Sequence, residues 1–166
     1  KIDYSTYVTH GKNSGLTVPL NFSNNRNSYM SSLGFYITGD AYEGKYGYSL
    51  RLQGLEEGFN SNAYRRAIVV HGADYAEPSF IEKYGFLGRS EGCPAIPTTI
   101  SKDVIDYIKG KTVLFIMGKD KAIEYWRAHS EEFDMILYDK ENKVYVSEGI
   151  AEDFTSDFDT EVVKKE

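Results

Sequence analysis

Two β-prone segments separated by glycines, at 35–42 and 46–55, constrain the fold more than any other feature of the sequence. Apolar and polar side chains alternate in the second segment, with Tyr48, Leu50 and Leu52 against Ser49 and Arg51. A period of two is typical of a strand with one buried face. Gly44 and Gly47 lie between the segments, so the sequence predicts a β-hairpin here.

The other elements are predicted from the same kinds of pattern. Further strands are expected at 4–9 (short and incomplete), at 67–70 with His71 at the C-terminal end, at 112–117 as a buried strand, and at 133–138 and 143–147 as a hairpin around 139–142. Helices are expected at 78–84 from Pro78, at 100–108 with Thr99 or Ser101 as cap and Gly110 as stop, and at 119–129. Because strands dominate, the predicted fold is mostly β with a few short helices.

Length and charge narrow the class of protein. A chain of 166 residues is long enough to form one domain with a substantial core. The formal charge is −6, and residues 131–166 carry twelve acidic and four basic side chains, which we interpret as a solvated face and tail. The sequence has no basic cluster and no apolar run long enough to span a bilayer, so we expect neither a nucleic-acid partner nor an integral membrane segment. Because the chain begins with Lys1 and shows no signal peptide, we expect a trimmed or mature form.

One histidine and one cysteine carry the chemistry of the sequence. Cys93 is the only cysteine, so no internal disulfide is possible and the thiol is a candidate nucleophile. A cysteine nucleophile needs a nearby base, and His71 at the predicted strand end is the candidate. Gly92 leaves the backbone bare, so that the amides around Cys93 can face an incoming carbonyl. Pro94 is predicted to start a helical turn, which would add a small positive potential at the cysteine.

Other interpretations of these residues are weaker. Cys93 could be a buried structural thiol, and His71 a strand-end histidine bonded to the backbone. Zinc held by His10, His71 and Cys93 is disfavoured because no ligand pair has the usual spacing. The order of histidine before cysteine argues against papain-like enzymes, and sortases separate the two residues much more widely.

The motif formed by His71-Gly72 and Ser90-x-Gly92-Cys93 resembles the catalytic signature of the L,D-transpeptidases, the YkuD domain. The longer stretch HGADYAEPSFIEKYGFLGRSEGCPAI, with HGKNSG and GFNSNAYRRAIVVHGADY upstream, is similar to the murein L,D-transpeptidase catalytic domain. The resemblance covers residues 4–118. It implies a YkuD-like, β-sandwich or barrel-like catalytic core over 1–118. Residues 119–166 are then expected to add a helix, a hairpin and an acidic tail packed on the same domain.

The resemblance implies a reaction on peptidoglycan stem peptides. The cysteine of the family attacks the bond between meso-diaminopimelate and D-Ala of a tetrapeptide stem, and an acceptor amine then resolves the acyl-enzyme. Carried over, Cys93 is the nucleophile, His71 the general base and later acid, and the Gly92 and Cys93 amides the oxyanion donors. The Ser90 carbonyl is expected to orient the imidazole. No metal or organic cofactor is implied, carbapenems are expected to acylate Cys93, and the location is the cell envelope, periplasmic or secreted.

Two departures from the family motif affect substrate binding. Glu91 stands where most members have His, and Ala95 where most have Arg. Near the sulfur, a Glu91 carboxylate would disfavour the thiolate. The expected substrate-binding residues, chosen to supply positive charge or to line the cleft, are Arg51, Arg89, Gly72, Tyr46 and Ser49. The sequence leaves two alternatives open: an L,D-carboxypeptidase or endopeptidase that uses water as acceptor, and an inactive envelope-binding module. It does not reveal the oligomeric state.

Overall fold

The computed structural model describes residues 3–16, 18–128, 130–131, 134–138, 143–155 and 159–165. The chain divides into two compact units, Lys1–Ile116 and Met117–Glu166. This boundary lies two residues before the predicted one, and the packing of the second unit on the first stays a prediction. In the described residues strands outnumber helices, which confirms a mostly-β chain with a few short helices. A sandwich or barrel arrangement also stays a prediction.

The first unit contains a five-stranded sheet and two helices. Its elements are β1 (Gly34–Gly44), β2 (Gly47–Gly54), β3 (Val69–Ala73), a 3₁₀ turn (Asp74–Ala76), α1 (Pro78–Tyr84), β4 (Ala95–Pro97), α2 (Thr98–Ile108) and β5 (Val113–Ile116). The strand order is β4-β3-β2-β1-β5. The predicted hairpin is confirmed as the antiparallel pair β1–β2, with a register shift between Thr38 and Ala41. Leu50 and Leu52 are fully buried, as their alternation predicts, and they share a core cluster with Ile105 of α2.

The strand that carries His71 is longer than the sequence predicts. It was expected at 67–70 with His71 at its end, but β3 begins at Val69 and continues to Ala73. Ala67 adopts a left-handed conformation with φ of 56°, which delays the start of the strand. The later end follows from pairing, because β4 runs parallel to β3 and places Ala95 opposite His71. His71 therefore lies in the middle of the strand, between β2 and β4.

Three further local predictions are wrong in the first unit. Residues 4–9 form no strand and contribute only an isolated bridge from Thr9 to Ala95. The strand at 112–117 lies at the edge of the sheet, paired with β1, and Val113 is 60% exposed. Helix α2 starts at Thr98, its N-cap residue is Pro97, which has no side-chain acceptor, and the carboxylate of Glu77 accepts the Thr99 amide.

The second unit contains α3 (Lys119–Ala128), β6 (Ile136–Tyr138), β7 (Val144–Ser147) and β8 (Thr160–Val163). The predicted helix and hairpin are both present, although the first hairpin strand begins at Ile136 and residues 129, 133 and 139–142 lie outside the described residues. The acidic tail is not uniformly solvated, because β8 pairs parallel to β7 and buries Val163 in a cluster with Trp126. None of the described helices is both long and apolar enough to cross a membrane.

Candidate active site

The parallel pairing of β3 and β4 brings the histidine and the cysteine into one pocket. Cys93 lies two residues before β4, and β4 runs beside the half of β3 that starts at His71. The pocket has a volume of about 170 Å³. Its lining residues are Tyr46, His71, Tyr75, Arg89, Ser90, Glu91 and Cys93. The two residues that the motif predicts as base and nucleophile therefore face a common space.

The His71 imidazole is held in one tautomer and kept uncharged. The side chain is 3% exposed, and burial lowers the pKa of His71 from its usual value of 6.5, although the bond to Gly72 opposes the shift. Nδ1 lies 2.9 Å from the Gly72 carbonyl. A carbonyl only accepts, so Nδ1 carries the proton and Nε2 keeps its lone pair. The Tyr46 ring stacks on the imidazole with centroids 4.9 Å apart and an interplanar angle of 22°.

The Cys93 thiol is buried and protonated at rest. Burial raises the pKa of Cys93 above its usual value of 9.0, whereas a backbone hydrogen bond at Val69 and the charge of Arg66 lower it. Glu91 raises it further, in the direction that the sequence predicts, but as the smallest of these causes. The Sγ lies 3.7 Å from the Ala67 carbonyl. A raised thiol pKa beside a lowered imidazole pKa gives a neutral pair, in which His71 can take the thiol proton during attack.

Ser90 closes the cysteine loop, although not in the predicted way. Its Oγ donates to the Cys93 carbonyl at 2.6 Å and accepts from the Gly92 amide at 3.1 Å. Its carbonyl was expected to orient the imidazole, but this oxygen accepts from the Lys12 amide, and the Gly72 carbonyl bonds the imidazole instead. The expectation of a main-chain partner for His71 is thus met by a different residue.

The same loop corrects two expectations about Gly92 and Pro94. Gly92 was one of two expected oxyanion donors, but its amide donates to Ser90, so the Cys93 amide is the remaining candidate. Gly92 has φ of +126°, and a Cβ there would lie 2.8 Å from the Met30 carbonyl, so this position requires glycine. No helical turn starts at Pro94, because β4 begins at Ala95 to pair with β3. The small electrostatic contribution expected from a helix end at Cys93 is therefore absent.

The residue range that carries this geometry matches a known family. The L,D-transpeptidase catalytic domain (YkuD_2) matches residues 1–117. The chain belongs to the L,D-transpeptidase catalytic-domain family. A comparison with curated proteins finds no match. The matched range coincides closely with the first compact unit, so the L,D-transpeptidase domain is the unit that contains His71 and Cys93.

The HGKNSG segment of the L,D-transpeptidase domain supports the cysteine loop. The His10 carbonyl accepts from the Ser90 amide, and the Lys12 amide donates back to the Ser90 carbonyl. The His10 Nε2 lies 3.1 Å from the Gly15 carbonyl, and burial lowers the pKa of His10. These contacts give His10 a role in shaping the loop. Among the described residues, no group of three or more His, Cys, Asp or Glu is arranged to hold a metal ion.

The structure separates the five expected substrate-binding residues. Tyr46 and Arg89 line the pocket of the L,D-transpeptidase domain. The terminal nitrogens of Arg89, however, donate to the backbone carbonyls of three loop residues, Leu16, Leu87 and Gly88. The Gly72 carbonyl accepts from the imidazole, and Ser49 pairs with His71 across the strands while its Oγ donates to the Gly47 carbonyl. Arg51 does not line the pocket and stacks over the rings of Tyr42 and Tyr64, 4.1 and 5.7 Å away.

Two residues of this site escape prediction from the sequence. Tyr75 lines the pocket from the 3₁₀ turn, where burial raises its pKa to about 12. Arg66 lies behind Gly92 and donates to the carbonyls of Ser23 and Met30 at 2.6 and 2.7 Å. The hydrophobic pattern marks neither residue, and only a family alignment could have pointed to them.

A second pocket lies elsewhere and has a different character. Its volume is about 310 Å³, larger than that of the pocket with the cysteine. It is lined by Gln53, Glu57, Ser61, Asn62, Tyr64 and Arg65. Because it holds no thiol and no histidine, the smaller pocket is the candidate active site.

Proposed function

We propose that the protein is a peptidoglycan L,D-transpeptidase that forms an acyl-enzyme on Cys93. The observation that carries the proposal is the pocket shared by His71 and Cys93, in a chain that belongs to the L,D-transpeptidase catalytic-domain family. The donor is a tetrapeptide stem, cut between meso-diaminopimelate and the terminal D-Ala. The acceptor is an amine of a second stem, which would place the enzyme in the cell envelope, periplasmic or secreted.

The first half-reaction forms a thioester and releases D-Ala. Cys93 Sγ attacks the donor carbonyl while its proton passes to His71 Nε2, and the carbonyl oxygen becomes an oxyanion. The Cys93 amide is the candidate donor for that oxygen. The tetrahedral intermediate collapses as the C–N bond breaks. The D-Ala nitrogen takes the proton from His71, which returns to its neutral form.

The second half-reaction transfers the acyl group. The acceptor amine attacks the thioester carbonyl, and His71 removes a proton from the attacking nitrogen. The C–S bond then breaks, and the sulfur recovers a proton from the imidazolium. The lowered pKa of His71 suits both steps, because the imidazole is available as a base at neutral pH and readily gives the proton up.

Mass spectrometry of the products tests the proposal. A purified disaccharide-tetrapeptide ending in D-Ala is incubated with wild type and, in parallel, with Cys93→Ala. We expect cross-linked dimers and free D-Ala only with the wild type. Cys93→Ser serves as a second variant, because it keeps the shape of the side chain and a weaker nucleophile.

The remaining products identify the rivals. Tripeptide without dimers would point to hydrolysis, and a repeat with added acceptor stem separates a carboxypeptidase from a transpeptidase that lacks its acceptor. Unchanged tetrapeptide, together with failure to form an acyl-enzyme, would refute the proposal and favour an inactive binding module. Slow thiol alkylation alone would not distinguish an inactive binding module from an active enzyme, because burial raises the pKa of Cys93 in either case.

A further inference from the structure

The Gly92–Cys93 peptide is held from behind by a serine of a distant loop. Ser31 Oγ donates to the Gly92 carbonyl at 3.1 Å and accepts from the Gly11 amide at 3.0 Å. The Ser31 amide in turn donates to Ser14 Oγ at 2.9 Å. Ser31 is only 4% exposed, so the orientation of its hydroxyl is fixed by these buried partners.

This anchor determines where the next amide points. In a planar trans peptide the carbonyl and the following N–H point in opposite directions, and the described chain contains no cis peptide. With the Gly92 oxygen turned toward Ser31, the Cys93 N–H is directed to the other side of the peptide. Within the part of the chain that the structure describes, no protein group accepts from the Cys93 amide.

Glycine makes the anchor necessary. The backbone of Gly92 adopts φ of +126° and has no side chain to restrict rotation of the peptide that follows. Without a partner for the Gly92 carbonyl, the Gly92–Cys93 peptide could rotate. The Gly92 oxygen, instead of the Cys93 N–H, would then face the substrate. The Gly92 amide cannot compensate, because it donates to Ser90.

We propose that Ser31 is a positioning residue that aims the Cys93 N–H at the oxyanion of the acylation step. The inference rests on the proposed function and adds to it the hydroxyl that preorganises the oxyanion donor. Ser31 itself does not line the pocket that contains the thiol. Its effect should therefore fall on reactions that develop an oxyanion, and it should spare reactions of the thiol that do not.

Two reactions of the same sulfur provide the test. Attack on the carbonyl of a carbapenem or of the D-Ala tetrapeptide passes through an oxyanion. Alkylation by iodoacetamide displaces iodide at a saturated carbon and forms none. Both rates are followed by intact-protein mass spectrometry, and only variants that remain folded by circular dichroism are compared.

The neighbouring serine offers a matched control. Ser32 is 1% exposed, donates to the Ser23 carbonyl at 2.8 Å and contacts Arg66, but makes no hydrogen bond to the cysteine loop. We expect Ser31→Ala to slow acylation by about 10-fold or more while alkylation stays within about 2-fold of wild type; outright removal of a donor costs about 10²–10³. Ser32→Ala should leave the ratio of the two rates unchanged.

Several outcomes would overturn the inference. Equal losses in acylation and alkylation for Ser31→Ala would mean that the serine supports only the thiol, and no loss would mean that the donor needs no anchor. If Ser31→Ala does not fold, the near-isosteric pair Ser31→Thr and Ser31→Val gives the same comparison, with faster acylation expected only for the hydroxyl-bearing variant. A wild-type protein that is alkylated but never acylated refutes the proposed function, which is a distinct result.

Discussion

The contact between β3 and α2 makes a quantitative prediction for Gly72→Ala. A Cβ at position 72 would lie 2.5 Å from Ser101 Oγ, 3.0 Å from Ser101 Cβ and 3.2 Å from Thr98 Cα. Ordinary contacts between carbon atoms are about 3.5–4.0 Å. The strand and the helix must therefore separate, and overpacking of this kind costs about 1–3 kcal/mol in the free energy of unfolding.

A second substitution should partly reverse this loss. Ser101→Ala removes the nearest atom but also the hydrogen bond from Ser101 Oγ to the Thr98 carbonyl, a loss of about 0.5–1.5 kcal/mol by itself. In the double variant the Cβ contact at 3.0 Å remains, so we expect partial rescue. The sum of the free-energy losses of the two single variants should exceed the loss of the double variant by about 1 kcal/mol.

Urea denaturation with pulsed thiol labelling measures the free energy of unfolding of the first compact unit, where Gly72 lies. Cys93 is the only cysteine and is buried in the first unit, whereas the only tryptophan, Trp126, lies in the second. Gly39→Ala is the matched control, because a Cβ there has its nearest contact at 3.4 Å in another strand. A wild-type stability for Gly72→Ala, or additivity within about 0.5 kcal/mol, would refute the steric reasoning.

Three further predictions concern the pocket. Because His71 must be neutral to act as base and its pKa is lowered from 6.5, the decline of kcat/KM toward acid pH should be centred below pH 6.5; a decline centred above 6.5 would contradict this. Tyr46→Phe should keep kcat/KM, whereas Tyr46→Ala should lose up to about 10-fold, the equivalent of about 1.4 kcal/mol of ring stacking; equal losses would implicate the hydroxyl. Glu91→Gln should lower the pKa of Cys93, seen as an alkylation profile displaced to lower pH, while Glu57→Gln in the other pocket should leave the profile unchanged.

The elements with a strong local pattern could be predicted from the sequence. Alternation marks the β1–β2 hairpin, and Pro78 with Gly85 marks the ends of α1, where Gly85 has φ of 78°. Elements defined by distant pairing could not be predicted in this way. β4 has three residues and no usable period, and it exists because it pairs with β3. β8 lies in an acidic tail whose composition suggests exposure, yet pairing with β7 orders it.

The residues of the candidate active site also fall into two groups, those that the sequence predicts and those that only the fold reveals. The motif is enough to nominate His71 and Cys93, because a thiol nucleophile requires a base. The partner of the imidazole is a choice among backbone carbonyls, which no side-chain pattern specifies, and the structure gives Gly72 rather than Ser90. Ser31 comes from a polar loop with no periodicity, so its contact with Gly92 becomes visible only in the folded chain.

The ties between the cysteine loop and the start of the chain also bear on folding. Ser31 and Gly92 are 61 residues apart, and the bonds between Lys12 and Ser90 close a still longer loop. Contacts of high sequence separation form late, because their closure entropy is recovered only after much of the chain is ordered. We therefore expect the catalytic backbone to be assembled late in the first unit, together with the pairing of β1 and β5, whose partners are similarly far apart in the chain. Catalytic activity therefore requires the N-terminal segment to be attached to the cysteine loop. A chain with native strands but without these contacts would contain the thiol and lack a functional site.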